Sequence, residues 1–383
     1  MNNTVFALTE YDGKLIAGGL FTTSGGVEAS CIACWDGSNW SPLGSGMTGG
    51  VYPYPYVRAL AVYDGKLIAG GDFVSAGGMA ASGIASWDGR SWSPLGSGMG
   101  GISPNVYALT VYDAKLIAGG FFTIAGDVEA SRIASWNGSV WSPLRWGTNY
   151  EVLALTMYDG KLIAGGGFST ADSVTVNHIA SWDGSSWLPL GSGMNNDVHA
   201  LTVRDGKLIA GGGFTTAGGV EASRIDSWDG SSWSPLGSGM NGHVYAITVY
   251  DGKLAAGGSF TIAGNKVSAY LAQWTKGEPS DIDPDEQVNL PDAFSVVQNY
   301  PNPFNPATTI EYNVPSRTQV TIEIFNVIGQ KVRTLVNETK SAGSYSTEWD
   351  GIDDSGNLVS TGVYLYRFSA GDVVQTKKMV LLK

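Results

Sequence analysis

The chain of 383 residues carries only two cysteines and three histidines, and charged residues make up just 15% of it. Two cysteines cannot build a disulfide framework, so stability must come from a packed core. Lysine and arginine number 22 against 34 aspartate and glutamate, a formal net charge of −12. That balance excludes nucleic acid as a main partner, because neutralising phosphates needs a basic surface. No apolar run approaches the roughly 20 residues of a membrane-spanning helix. Met1–Glu10 has neither the basic start nor the apolar stretch of an export signal. Glycine lacks the strict three-residue period of collagen. What the chain does have is 54 glycines, 13 tryptophans, 17 tyrosines and 43% hydrophobic residues. Such a composition supplies a large core and suits many short strands joined by tight turns.

An internal repeat dominates. The segment Val-x-Ala-Leu-x-x-Tyr-Asp-Gly-Lys-Leu-Ile-Ala-Gly-Gly recurs with small changes from Val5, Val57, Val106, Val152, Val198 and Val244, at spacings of 52, 49, 46, 46 and 46 residues. A period of 40–50 residues with a Trp-Asp-Gly signature points to propeller blades. In the fifth copy the first strand spans about Val198–Val203 and the second Lys207–Phe214, joined by Asp205-Gly206. The loop 215–223 leads to a third strand at Arg224–Trp228 and, past Asp229-Gly230, a fourth at Trp233–Leu236. Asp-Gly pairs are strong hairpin turns because both central residues need positive φ. Pro235 has no N–H to donate, which puts the fourth strand at a blade edge. The alternative is an open array of hairpins; near-identical repeats with both faces apolar favour a closed ring.

The Gly-Gly ending each second strand, the following aromatic and the Trp that opens each fourth strand resemble the kelch-type propeller repeat. The fuller pattern Gly-Gly-x-Phe…Ile-Ala-x-Trp-Asp-Gly-x-x-Trp-x-Pro-Leu-Gly is similar to repeats in fungal cortical-marker proteins and bacterial surface proteins, and covers Val5–Trp274. The sixth copy departs after Trp274, with no Trp-x-Pro-Leu to form its outer strand. Met1-Asn2-Asn3 aligns with Met194-Asn195-Asn196, which follows an outer strand. The expectation is therefore a start truncated or misassigned downstream of a closing strand and an export signal; the alternative is a three-stranded last blade.

Composition shifts after about residue 275. Residues 276–293 read as an acidic linker in which Asp281, Asp283 and Asp285 mimic the start of a calcium loop. Glu286 and Asp292 stand where that loop wants Gly and Glu, so no metal is assigned. Residues 294–383 show six alternating runs: Thr309–Val314, Gln319–Asn326, Lys331–Val336, Gly343–Trp349, Gly362–Ser369 and Val373–Leu382. Their turn spacing is that of a small β-sandwich. Tyr300-Pro-Asn-Pro-Phe-Asn-Pro306, Ile328-Gly-Gln-Lys-Val332, Trp349-Asp-Gly351, Gly362-Val363-Tyr364 and the terminal Lys378-Met379-Val-Leu381-Leu382-Lys383 resemble the C-terminal sorting domain of type IX secretion cargo, related to the Ig-like domain of flagellar hook-capping proteins. The resemblance implies export to a bacterial surface through the type IX machinery, with residues 362–364 and 378–383 as the sorting signal, and either release or outer-membrane anchoring. The expected architecture is thus all-β: a six-bladed kelch-like β-propeller over residues 1–275, its last blade lacking the outer strand, a linker, and an Ig-like β-sandwich.

Chemistry-bearing constellations are scarce. His178, His199 and His243 have no companions at metal-ligand spacing. Asp197 with His199 lacks a nucleophile elbow, and no copper-radical set of Tyr, Cys and His can be assembled. Cys31 and Cys34 form a Cys-x-x-Cys on a strand, where residues i and i+3 point to opposite faces, so a disulfide is disfavoured. The glycine runs end strands and open no helix, which excludes a phosphate loop. No cofactor is expected.

Variation between copies locates a ligand face. The Asp-Gly turns share one face, so the loops joining second to third strands and fourth strands to the next blade share the other. The candidate ligand residues there are Tyr52, Tyr54, Tyr56, Arg145, Trp146 and Tyr150 in loops. Arg58, Tyr107, His199 and Tyr245 come from the second position of first strands, and Arg132, His178, Arg224 and Tyr270 from the start of third strands. Aromatics with Arg and His suit glycan stacking or protein hot spots. Few carboxylates are present, Glu151 and Asp197 among them, so a non-enzymatic binding or adhesion module for glycan or surface protein is favoured over a secreted hydrolase or lyase, or a structural surface-layer component.

Overall fold

The computed structural model describes residues 1–51, 54–264, 266–274, 293–340 and 343–382. Every regular helix or strand among them is a strand. The chain divides into two compact units, Met1–Ile282 and Asp283–Lys383.

The first unit is the propeller. Five antiparallel sheets follow one plan, for example Val198–Arg204, Lys207–Gly212, Ile225–Trp228 and Trp233–Pro235, hydrogen-bonded in chain order. The sixth sheet has three described strands, Val244–Tyr250, Lys253–Gly258 and Leu271–Trp274. First strands of successive blades pack against one another, so they line the axis and the Pro-bearing fourth strands form the rim. The first turns adopt the expected geometry: Asp205 and Gly206 have φ of 50° and 75°. In the third blade Ala114 takes the glycine's place at φ 55°.

Blade-to-blade packing depends on the Gly-Gly pair. A Cβ on Gly18, Gly70, Gly119, Gly165 or Gly211 would lie 2.5–2.6 Å from the γ-methyl of Val57, Val106, Val152, Val198 or Val244 in the next blade. The second glycine lies against the carbonyl of the residue before its own blade's first Val, as Gly166 does against Glu151 and Gly212 against Asp197. Hydrogen bonds lock the rim. Trp92, Trp141, Trp187 and Trp233 donate Nε1–H to the carbonyls of Leu43, Leu95, Leu144 and Leu190, each in the preceding blade, at 2.9–3.3 Å.

The segment between second and third strands is more ordered than a loop. It forms a two-stranded hairpin, such as Thr216–Ala217 with Val220–Glu221. A residue after the preceding outer strand pairs with that hairpin, as Met194 does with Ala217. Asn195 accepts from Thr215 N and Thr216 N through Oδ1, at 2.8 and 2.9 Å. Asn149 and Asn241 repeat this clamp, and Asn2 makes it on Thr22 and Thr23. The alignment of Met1-Asn2 with Met194-Asn195 therefore holds at the level of hydrogen bonds.

Val5, Leu8 and Leu15 of the first blade are exposed, and among the described residues no valine lies against Gly257 of the sixth. The first and sixth blades each present a face that elsewhere is an interface.

The second unit is the Ig-like domain, two sheets around one core. One joins Ser295–Val296, Thr308–Val314 and Gly343–Trp349. The other joins, in spatial order, Lys331–Lys340, Thr318–Asn326, Gly362–Ala370 and Val373–Leu381. Inward residues alternate, as in Val320, Ile322 and Ile324, and meet Trp349, Tyr312, Tyr366 and Phe368. The acidic segment with Asp281, Asp283, Asp285, Glu286 and Asp292 lies outside the described residues.

Two predictions follow from the packing. Gly165→Ala overpacks the seam against Val198 and destabilises the propeller by about 1–3 kcal/mol. In thermal unfolding, Gly165→Ala/Val198→Ala costs less than the sum of the two single changes, whereas strict additivity would deny the contact. The second concerns Asp226, which stands where other blades have Ala and is wholly buried with Oδ2 unpartnered. Burial pushes its carboxyl up to about 7, against opposing hydrogen bonds from Ser227 and Ser234 N–H groups. The folded state therefore favours the protonated acid. The penalty is absent below about pH 4, grows as pH rises, and is complete above about 7. Asp226→Ala should stabilise on the order of 3 kcal/mol at pH 8 and far less at pH 4.5; an equal gain in melting temperature at both pH values contradicts it.

Candidate binding site at the propeller mouth

Each blade leaves regular strand geometry at two points, both at the end of the axis where first strands begin. The first is a β-bulge. Pairing skips one residue between Val198 and Ala200, and likewise in the other five blades. The skipped residues are Phe6, Arg58, Tyr107, Leu153, His199 and Tyr245. A bulge re-aims its side chain out of the alternation of the strand. The second is the residue before each third strand: Cys31, Gly83, Arg132, His178, Arg224 and Tyr270 all have φ between 65° and 69°. Their N–H and C=O groups bridge two strands, as Arg132 donates to Phe122 O and accepts from Gly120 N. Left-handed backbone costs a non-glycine residue about 1–2 kcal/mol, yet five of the six positions carry side chains.

Two further variable positions join these. The residue before each first Val is Thr4, Tyr56, Asn105, Glu151, Asp197 or His243, and the residue after each Gly-Gly is Leu20, Asp72, Phe121, Gly167, Gly213 or Ser259. They face one another across the inner strands, as Tyr56 pairs with Asp72 and Asn105 with Phe121.

The side chains converge. The Arg58 guanidinium lies 5.5 Å from the Phe6 ring centre and 5.1 Å from that of Tyr107. Tyr56 packs edge-on to Phe6 at 5.8 Å and receives the Asn105 amide at 2.5 Å. Arg132 sits over Phe121 at 5.1 Å, and Tyr150 packs edge-on to the same ring at 6.0 Å. His199 lies 5.3 Å from Tyr245 and stacks on His243 at 6.1 Å. His178 Nδ1 is 3.4 Å from Asp197 Oδ1 and 3.2 Å from Gly166 O.

Electrostatics ties the blades together. Burial, then the charge of Asp197, raises the Glu151 carboxyl above its ordinary range, while Arg58 and Arg132 pull it back. Burial lowers the His199 imidazole; Asp197 opposes this, and His243 and Arg58 add to it. Arg58 of the second blade thus acts on groups of the fourth and fifth. The arrangement sets flat aromatic faces beside hydrogen-bonding groups of both signs.

Other residues singled out in the sequence fall elsewhere. Arg145 and Trp146 are not at the mouth. Arg145 Nε pairs with Asp172 at 3.0 Å and Nη1 donates to Ser185 O in the turn between third and fourth strands, on the opposite face. The reason is local: Arg145 and Trp146 replace Gly-Ser at constant loop length, and Arg145 keeps the positive φ of Gly44. Arg224 turns to Met240 O at 3.1 Å. Tyr54 and Tyr270 are exposed, and Tyr52 lies outside the described residues. Both thiols are free; Cys31 donates to Pro55 O at 3.0 Å and burial pushes it up to about 11, which leaves it unreactive.

In the second unit the quoted motifs meet. Gly362, Val363 and Tyr364 pair with Leu381, Val380 and Met379. Phe304 bridges Leu381 and packs 5.6 Å from Trp349, which lies 5.1 Å from Tyr364. Asn302 Oδ1 caps Val380 N at 3.0 Å, and the amides of Gln298 and Asn302 reach Lys378 O. Leu382 is exposed, and Lys383 lies outside the described residues.

Comparison with known proteins agrees with this architecture. Residues 305–373 match the FlgD Ig-like domain, and residues 12–36 match a beta-propeller domain of unknown function, DUF5122. No curated protein matches. Among solved structures, PorZ of Porphyromonas gingivalis, described as an essential bacterial surface component of the type-IX secretion system, is similar at 14% identity and TM-score 0.42 over 99% of this chain. The chain spans 59% of that protein's length. Latent PorU from the same organism is similar over 79% of this chain and 26% of its own, at 12% identity and TM-score 0.21. Bacteroides ovatus GH43B, from a xyloglucan locus, is similar over 87% of this chain and 90% of its own, at 12% identity and TM-score 0.30. The chain is a propeller followed by an Ig-like domain.

Proposed function

We propose that the protein is a bacterial cell-surface or secreted binding module. Its propeller mouth takes a glycan, and its Ig-like domain directs export through the type IX machinery. The observation that carries the binding reading is the division of labour within the repeat. Residues at the blade seams are nearly constant, while four positions per blade vary, and all four lie at one mouth. Sugar rings stack on aromatic faces, and Arg58, Arg132, Glu151 and Asp197 stand beside such faces to take hydroxyls. Support for the export reading is the packing of Phe304, Trp349, Tyr364 and Leu381, which joins motifs far apart in sequence into one cluster.

One observation favours a hydrolytic alternative. Glu151 is held toward its protonated form by burial and then by the charge of Asp197, and a carboxylic acid kept protonated beside a second carboxyl group is a feature of glycoside cleavage. A single panel decides between the two. The full chain is screened against bacterial surface and plant polysaccharides by affinity electrophoresis, with released reducing ends measured in parallel. Saturable binding without product, weakened tenfold or more by Tyr107→Ala or Tyr245→Ala but not by Trp146→Ala, is the expected result. Product formation abolished by Glu151→Gln would establish the hydrolase, and no binding by a folded chain would overturn the glycan reading.

A further inference from the structure

Several arginines of the molecule are neutralised by their neighbours. Arg145, Arg333 and Arg367 each meet a carboxylate oxygen at 2.7–3.0 Å. Two arginines at the propeller mouth are held differently. The Arg58 guanidinium lies against the Phe6 and Tyr107 rings, 5.5 and 5.1 Å from their centres, and that of Arg132 lies 5.1 Å from the centre of Phe121. Among the described residues neither side chain makes an ion pair or a hydrogen bond, and Arg132 Nε is shut off from solvent without a partner.

The acids nearby are already engaged. Asp197 Oδ1 lies 3.4 Å from His178 Nδ1, and Asp72 Oδ1 accepts from Val51 N at 2.9 Å. Glu151, on which both arginines act, is held toward its protonated form chiefly by burial. Nor does the fold need a side chain at position 132. Gly83 fills the same place in the second blade at φ 69°, whereas Arg132 is carried at φ 66°, a conformation that its Cβ disfavours. Tyr107 and Phe121 both belong to the third blade, on Asn105–Tyr112 and Lys115–Phe121, so both guanidinium groups border that blade.

We propose that the mouth selects an acidic glycan, one that carries carboxylate or sulfate groups on its sugar rings, and that Arg58 and Arg132 receive the anionic oxygens. An aromatic ring against a guanidinium covers its flat face. The N–H groups lie in the guanidinium plane and stay available as a fork onto two oxygens of one anion. The chain as a whole carries a net charge of −12, which repels a polyanion. Attraction of an acidic polymer therefore needs a local cationic site, and these two groups supply one with no carboxylate of the described residues paired to it. The inference rests on the glycan reading of the mouth and narrows it to one class of charge.

The test is affinity electrophoresis of the full chain in gels containing polygalacturonate, hyaluronan or dextran sulfate, each paired with its neutral counterpart (the carboxyl-reduced polymers and plain dextran). The expected result is binding to at least one acidic polymer about tenfold or more tighter than to its neutral counterpart. The polymer that binds identifies carboxylate or sulfate as the group received. Arg58→Gln and Arg132→Gln should each weaken that binding about tenfold or more. Arg90→Gln makes the same change of charge in the turn between Ile84–Trp87 and Trp92–Pro94, on the opposite face, and should leave binding unchanged. Melting temperatures near that of the parent confirm that the variants fold, and Arg58 is exposed, so its variant serves even where Arg132→Gln does not fold. Equal binding to acidic and neutral forms overturns the inference and leaves the glycan reading in place. A loss in Arg58→Gln matched by Arg90→Gln also overturns it, since net charge alone would then account for the attraction. A folded chain that binds none of the acidic polymers overturns it as well, and the neutral polymers then decide whether the glycan reading survives.

Discussion

The spacing between blades is set by two adjacent glycines. The first leaves room for the next blade's valine, whose methyl would otherwise sit 2.5–2.6 Å from a Cβ. The second lies against the carbonyl at the start of the inner strand, beside the bulge. One dipeptide therefore fixes both how closely blades stack and where the inner strand kinks. Rim contacts, from the Trp-to-Leu hydrogen bonds to the asparagine clamps, hold a seam whose distance is already determined.

That rigidity extends to the mouth. A bulge residue and a left-handed residue occur once per blade, and apart from the buried Cys31 neither belongs to a seam cluster. The left-handed backbone is held through both its N–H and its C=O by the end of the second strand, so side chains such as Arg132 and His178 are carried where an isolated peptide would not place them. Strained positions that persist because the surroundings over-determine them are a sound motive for a functional hypothesis. Recognition on a fixed scaffold also loses less entropy on binding than recognition on mobile loops.

Much of this was legible in the sequence. The period, Asp-Gly turns and edge proline gave the sheet order, and comparing copies picked out the variable positions that lie together at one end of the inner strands. The β-bulge was hidden because Val-x-Ala-Leu reads as ordinary alternation; only pairing of Val198 and Ala200 to adjacent glycines reveals the skipped His199. The left-handed position was masked by Arg, His and Tyr, with Gly83 the sole clue. Phe121 and His243 were missed although they occupy variable columns beside constant ones. Arg145 and Trp146 were misplaced because a loop's face was assigned as a whole, whereas a residue just past the rim strand still belongs to the rim. The short hairpins escaped because two-residue strands carry no periodic signal.

The central claim is that the seams hold the propeller and the bulge residues do not. Replacing Phe6, Arg58, Tyr107, Leu153, His199 and Tyr245 together by alanine in one chain tests it by thermal unfolding. The account predicts cooperative unfolding within a few degrees of the parent, because none of the six is buried in a seam. Loss of the cooperative transition would show that the mouth is part of the core and would contradict the account.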